Sequence, residues 1–309
     1  MSAENLEITA DKPCLPPYAG DQNRQLLTHL LRDVSRSFYL TLRVLPAGLR
    51  SQISLAYLLA RASDTIADTE VVPRARRLEI LRDMQAGRFQ TVRELAAQQA
   101  LPAERELLGR LDECYRRLTE FEAGDQQRIR ELLHTIISGQ IFDLERFPGD
   151  ALRAEELDRY TYLVAGCVGE FWTKMCQAHL PELAALSVED GIRFGKGLQL
   201  VNILRDQPKD LELGRQYVAD HDRGLEVAGE HLDAGWRYTL AIPANQKRLR
   251  LACIWPIWIG LKTLARIRAT GPLAKVTRRE VYWLMLESAL LVGNDAALDE
   301  KYHRLRSGR

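Results

Sequence analysis

Ile53 to Ala62 is nearly all Ala, Leu, Ile and Tyr, with no glycine or proline to interrupt it. A helix that is apolar most of the way round has to be buried. A chain carrying one must therefore build a core thick enough to enclose it. That segment runs straight into Arg61–Ala–Ser–Asp64–Thr–Ile–Ala–Asp68. Asp64 and Asp68 are four residues apart and share a helix face, with Arg61 one turn back. Two like charges at that spacing mildly destabilise a free helix, and a cation between them offsets the cost. The alternative reading is a plain core helix whose end is acidic.

A second stretch, Gln199–Leu–Val–Asn–Ile–Leu–Arg–Asp–Gln–Pro–Lys–Asp210, repeats the theme. Gln199, Asn202, Asp206 and, if the helix continues, Asp210 point the same way. Leu200, Ile203 and Leu204 can pack inward. Two amides and two carboxylates on one face are costly to bury without a partner. Oxygen ligands of this kind suit Mg²⁺, which takes one or two carboxylates, keeps waters and shares substrate phosphates. A solvated polar face is the alternative. Pro208 interrupts the pattern, because proline removes a backbone bond and crowds the carbonyl four residues back, and it biases Gln207 away from helical angles. The helix is expected to kink or end near 207, which would take Asp210 off the face of Asp206. Two acidic faces in one chain can close on a shared cavity with a greasy body and a charged mouth.

Helical periodicity dominates from residue 22 onward, with no convincing alternating run. Helices are expected near 22–33, 47–67, 74–86, 103–121, 125–146, 154–178, 188–207, 222–240, 245–269, 277–291 and 294–306. Ser187, three residues before Asp190, marks a helix start. Residues 1–21, with Pro13, Pro16 and Pro17, read as an extended lead-in, leaving one all-α domain over 22–309. Lys and Arg (43) nearly balance Asp and Glu (42), so nucleic acid is not an expected partner. The five cysteines are odd in number and form no CxxC, which fits reduced thiols in a cytoplasmic protein. The start lacks the pattern of a signal peptide. The longest greasy run, Leu251 to Leu261, is about half a bilayer span, so a membrane would be met only peripherally. Oligomeric state is not legible.

Four motifs in order resemble the squalene/phytoene synthase family of head-to-head prenyl transferases. They are Ser35–Arg36–Ser37–Phe38, Arg61 to Asp68, Tyr160–Thr–Tyr–Leu–Val–Ala–Gly166–Cys–Val–Gly169, and Gln199 to Asp210. The resemblance runs from about Ser35 to the end of the chain. It implies a single-domain, isoprenoid-synthase-type helical bundle around a central cavity. It also implies that Asp64, Asp68, Asn202, Asp206 and Asp210 hold Mg²⁺ and diphosphate. Ser35, Ser37, Phe38, Arg61, Gln199, Asn202 and Arg205 would contact substrate, and Tyr160 would be catalytic. Either arginine could instead pair with an aspartate, and Tyr160 could be an ordinary buried tyrosine. Phe38, Tyr57, Phe171 and Trp172 are candidates to line the cavity. Gly166 and Gly169 allow close approach of helices or of substrate tails. The chain departs from the squalene synthase pattern at Thr69, where a third acid is common.

The resemblance implies two farnesyl diphosphates as substrates and Mg²⁺ as Lewis acid. Burying one C15 tail supplies on the order of 10 kcal/mol of gross binding drive. Ala252–Cys–Ile–Trp–Pro256 and Ala274–Lys–Val–Thr–Arg–Arg279 resemble squalene synthase segments, so reduction by NADPH to squalene is the expected outcome. Lys275, Arg278 and Arg279 would meet the nucleotide phosphates, unless they are simply exposed lysine and arginine at a helix start. Ala252 stands where squalene synthases often carry phenylalanine. Dehydrosqualene or phytoene synthase, or a presqualene diphosphate synthase without reductant, are the near alternatives. A non-catalytic helical scaffold that binds prenyl lipids is the distant one.

Overall fold

The computed structural model describes residues 29–35 and 38–308, and every regular element among them is helical. The expected lead-in, Ser37 and the side chain of Phe38 lie outside the described residues. In chain order the helices are α1 (Leu31–Ser35), α2 (Phe38–Val44), α3 (Ala47–Asp68), α4 (Arg74–Gln85), α5 (Gln90–Ala96), α6 (Pro102–Gly109), α7 (Leu111–Leu118) and α8 (Ala123–Arg146). After them come α9 (Ala154–Thr161), a π-turn (Tyr162–Gly166), α10 (Cys167–His179), α11 (Val188–Glu212), α12 (His221–Ala241), α13 (Lys247–Thr270), α14 (Arg278–Leu291) and α15 (Asp295–Arg306). No described helix is long and apolar enough to cross a membrane.

The apolar segment of α3 is enclosed as its composition demands: Leu55, Leu58, Leu59, Ala62 and Ile66 are fully buried. It packs against α8, α7 and α4, and α8 in turn meets α10 and the π-turn. α11 is the central spine of the other half, in contact with the π-turn, α10, α12 and α13. Its start is capped as expected, with Ser187 Oγ accepting from the Asp190 N–H at 3.1 Å.

Three expectations need correction. α11 neither ends nor stops short at Pro208 but runs on to Glu212. In the turn that the proline ring crowds, the Arg205 carbonyl accepts from the Leu273 N–H at 2.7 Å. The carbonyl four residues before Pro208 is that of Leu204, and this tertiary bond at Arg205, one residue on, ties the segment after α13 to the same turn. The expected 103–121 helix is two helices, broken at Arg110, whose φ of −105° is off the helical value. The expected 154–178 helix carries a π-turn at Tyr162–Gly166, a distortion common at functional sites.

Close approach of α11 to the α10 region depends on glycine. A Cβ at Gly169 would overlap the Gly191 carbonyl oxygen and lie 2.6 Å from its carbon. A Cβ at Gly195 would overlap the Ala165 carbonyl oxygen.

Candidate active site

α3, α8, α9 and α11, together with the segment after α11, enclose a polar cavity of about 250 Å³. Asp64 and Asp68 enter from α3, Gln140 and Asp143 from α8, Tyr160 from α9, and Arg215 and Tyr217 from beyond α11. Gln199 of α11 stands in its wall and also in the wall of a second cavity of about 240 Å³. That second cavity is mostly apolar, lined among others by Trp172, Phe194, Leu198, Tyr238, Ala252 and Pro256. A charged chamber and a greasy one therefore share a wall residue.

Burial is the main cause that raises the Asp64 carboxyl to about 7, and repulsion from Asp68 adds to it. Arg61 and a 2.5 Å hydrogen bond from Gln140 Nε2 work against the rise. Asp68 reaches solvent through the cavity, yet burial still raises it, opposed by Arg215 and Arg61. Asp143 is raised chiefly by burial and accepts from Tyr217 Oη at 2.6 Å. Asp210 rises to about 6, again chiefly through burial, and it feels Asp206, Asp143 and Asp68 as like charges. Asp210 thus lies near Asp206 and Asp68, contrary to the expectation that Pro208 would carry it away from Asp206. Arg215 is the cation among them, with Nε 3.5 Å from Asp143 Oδ2.

Tyr160 is buried, and its ring stacks on Tyr217 at 5.0 Å between centroids, with the two hydroxyls 3.5 Å apart. Burial and Asp143 hold its phenol well above the ordinary tyrosine range. It is neutral at any working pH and can lend or relay a proton, not act as a phenolate.

The remaining candidates divide. Arg205 forks onto its neighbour Asp206, Nε to Oδ1 at 3.0 Å and Nη2 to Oδ2 at 2.5 Å, and this pairing lowers the Asp206 carboxyl. Arg61 pairs with Glu104 of α6 at 2.7 Å. Asn202 lies on the apolar chamber. Ser35 donates to the Leu31 carbonyl within α1 and lines neither chamber. Lys275 is close enough to Asp206 to lower its carboxyl, while Arg278 and Arg279 are exposed. Of the aromatic candidates, Trp172 lines the greasy chamber, whereas Phe171, about 100° round the helix, is buried in the core.

Among the described residues no three His, Cys, Asp or Glu side chains form a closed metal cage. The donors nevertheless fit a hard cation. They are carboxylate oxygens raised by burial and mutual repulsion, and Gln140 Oε1 is buried with no hydrogen-bond partner. A cation that relies on waters and phosphates for its other ligands needs no closed cage.

A model of the squalene/phytoene synthase family matches residues 31–222, more than half of the chain. The chain belongs to the squalene/phytoene synthase family. Members are enzymes of the prenyl-transferase type. The squalene synthase of Schizosaccharomyces pombe is 29% identical over 219 residues, which cover 66% of this chain and 46% of that protein. The chain thus spans under half the length of that relative. The phytoene synthase of Arthrospira platensis is 26% identical over 287 residues, covering 82% of this chain and 86% of that one. A solved structure of TcSQS with a ligand superposes with a TM-score of 0.69 at 18% identity, over 93% of this chain and 98% of that chain. At that identity the superposition speaks for the helical fold.

The acid cluster has a thermodynamic consequence. Asp64 binds a proton more tightly folded than unfolded, so the folded state carries the extra proton between its ordinary value and about 7. Stability then falls as pH rises through 7. In EDTA, the thermal midpoint at pH 6.5 should exceed that at pH 8 by about 1–3 °C. Below 6.5 the trend is opposed by His231, which burial lowers to about 4. Asp64→Asn should flatten the slope between pH 6.5 and 8, and a midpoint that climbs with pH there would contradict the assignment.

Proposed function

We propose that the protein joins two farnesyl diphosphates head to head through presqualene diphosphate and completes the reaction by NADPH reduction to squalene. The observation that carries the reading is the pair of chambers meeting at Gln199, one acidic and one apolar. A prenyl diphosphate has the same two halves.

Asp64, Asp68 and Asp210, with Gln140 Oε1, would hold Mg²⁺, and Asp206 and Asn202 extend that set along α11. Bound there, the ion supplies Lewis-acid stabilisation of the departing pyrophosphate. Arg215, among these acids, sets the local charge and is placed to meet phosphate oxygens, as guanidinium forks do well. Arg61 and Arg205 can exchange their present carboxylate partners for phosphate. Tyr160, kept neutral by burial, holds a proton beside the pyrophosphate site and relays the one that cyclopropane formation releases. Trp172, Phe194 and Tyr238 present ring faces to the carbon skeleton, each worth roughly 0.5–2 kcal/mol to a nearby cation. The same walls exclude water that would quench it. Lys275, Arg278 and Arg279 are the cations for nucleotide phosphates, and NADPH would supply the terminal hydride.

The test is incubation of the pure protein with farnesyl diphosphate and Mg²⁺, with and without NADPH, followed by identification of the product. Squalene that appears only with NADPH is expected. Dehydrosqualene in both arms would reassign the reaction to proton loss. Presqualene diphosphate in both would make this an enzyme of the first half-reaction. Phytoene from geranylgeranyl diphosphate, with no turnover of the shorter substrate, would change the chain length.

A further inference from the structure

α14 turns an unpartnered apolar face outward. Tyr282 is 65% exposed, Trp283 59%, Leu286 53% and Leu290 78%. Positions 278, 282, 286 and 290 follow one another at four-residue spacing, so they form one ridge, and 279 and 283 flank it. Arg278 and Arg279 therefore sit at the head of the same face that the aromatic and leucine side chains continue. Lys275, also exposed, lies just before it.

The other faces of the helix are occupied. Leu284 and Ser288 are buried, and Ser288 Oγ accepts from Trp255 Nε1 at 2.9 Å. Both acids of the helix are tied sideways. Glu280 meets Lys262 at 3.0 Å and Arg266 at 2.7 Å on α13, and Glu287 meets Lys301 at 2.8 Å on α15. Among the described residues, Lys275, Arg278 and Arg279 have no carboxylate within ion-pair distance. The outward face is thus aromatic and aliphatic at one end, cationic at the other, and free of acids.

We propose that this face docks the protein on an anionic lipid surface. Tryptophan and tyrosine favour the headgroup boundary, leucine the acyl side, and lysine and arginine the anionic headgroups. Charge complementarity selects the lipid over a second copy of the chain. Two-fold pairing of the face would gather four arginines with no carboxylate on it to meet them. Arg278 and Arg279 are also the cations assigned above to nucleotide phosphates, so lipid binding is measured without nucleotide or prenyl substrate. Its failure leaves the reaction untouched.

The test is flotation of the full chain with phosphatidylcholine vesicles, with and without phosphatidylglycerol. The chain should float with the anionic vesicles and be released by salt. Arg278→Gln with Arg279→Gln should weaken that binding about 30-fold at low salt. Trp283→Glu with Leu286→Glu should drop flotation to background while keeping the helical spectrum, thermal midpoint and turnover of detergent-dispersed substrate. Leu290→Glu, at the most exposed position, is a second variant with the same expectation. Flotation of these acidic variants at the wild-type level would overturn the proposal. So would equal binding to neutral and anionic vesicles, or a dimer in light scattering that Leu290→Glu abolishes while vesicle binding stays the same.

Discussion

Asp64→Asn is expected to lower hydrocarbon formation from farnesyl diphosphate by about 10²–10³-fold while leaving the fold as stable as before, or more so. The amide has the carboxylate's shape, and its oxygen can still accept from Gln140 Nε2, as Asp64 Oδ1 does now at 2.5 Å. Only the charge is lost. At neutral pH that charge is held against burial and against Asp68, which is why the carboxyl titrates near 7. Its removal therefore relieves a cost in the metal-free protein. The same charge is what a divalent ion needs, and preorganised charge at a leaving group is worth two to three orders of magnitude per group in comparable sites. Two measurements decide the matter, turnover with Mg²⁺ and the thermal midpoint in EDTA. A variant that turns over within tenfold of the parent would remove Asp64 from the ion-binding set. Lost turnover together with a collapsed midpoint would make the residue structural. A scaffold without chemistry would show neither change, since it has no turnover to lose.

Opposite effects on activity and stability at one residue mark a group retained for chemistry. Its visibility in the sequence had a simple origin. The four-residue spacing of Asp64 and Asp68 is a local fact, and so is the apolar run before it, so both could be read without the fold. The long helices were legible for the same reason. Phe38–Val44 and Gln90–Ala96, each of seven residues, were not. Helices of that length are held by tertiary packing and leave little periodic signal. Pro208 misled in a related way. Its local penalty is real, but α11 packs along α12 and α13 and runs on to Glu212, and no local rule sees that.

The site shows the same division. Asp143, Gln140, Arg215 and Tyr217 were missed, although they line the polar chamber. Gln140 and Asp143 share a helix face at three-residue spacing, a signal as good as others that were used. Arg215 and Tyr217 follow the end of α11, and nothing local announces them. Their importance comes from proximity to Asp68 and Asp143, which lie far away in sequence. Side-chain direction was the other gap. Phe171 and Trp172 are neighbours, and only the fold decides which of them faces the chamber.

Gly169→Ala should destabilise the protein by about 3 kcal/mol or more, lowering the thermal midpoint by roughly 5 °C or more. The added carbon would overlap the Gly191 carbonyl oxygen, and the Ile192 nitrogen is 3.3 Å away. Those are backbone atoms of α11, the spine of half the molecule, so no rotamer change relieves the clash. The helices must part. Gly169, Gly191 and Gly195 also line the apolar chamber, so parting them alters the walls meant to exclude water. Turnover should then fall further than the folded fraction does, as measured on protein shown to be folded at the assay temperature. Gly48 is the control. It lies in the first turn of α3, and a Cβ there would meet nothing within 4 Å, so Gly48→Ala should be neutral or stabilise by up to about 1 kcal/mol. If the two alanine variants melt together, the close crossing of α10 and α11 has slack, and glycine at 169 is not what brings those helices into contact.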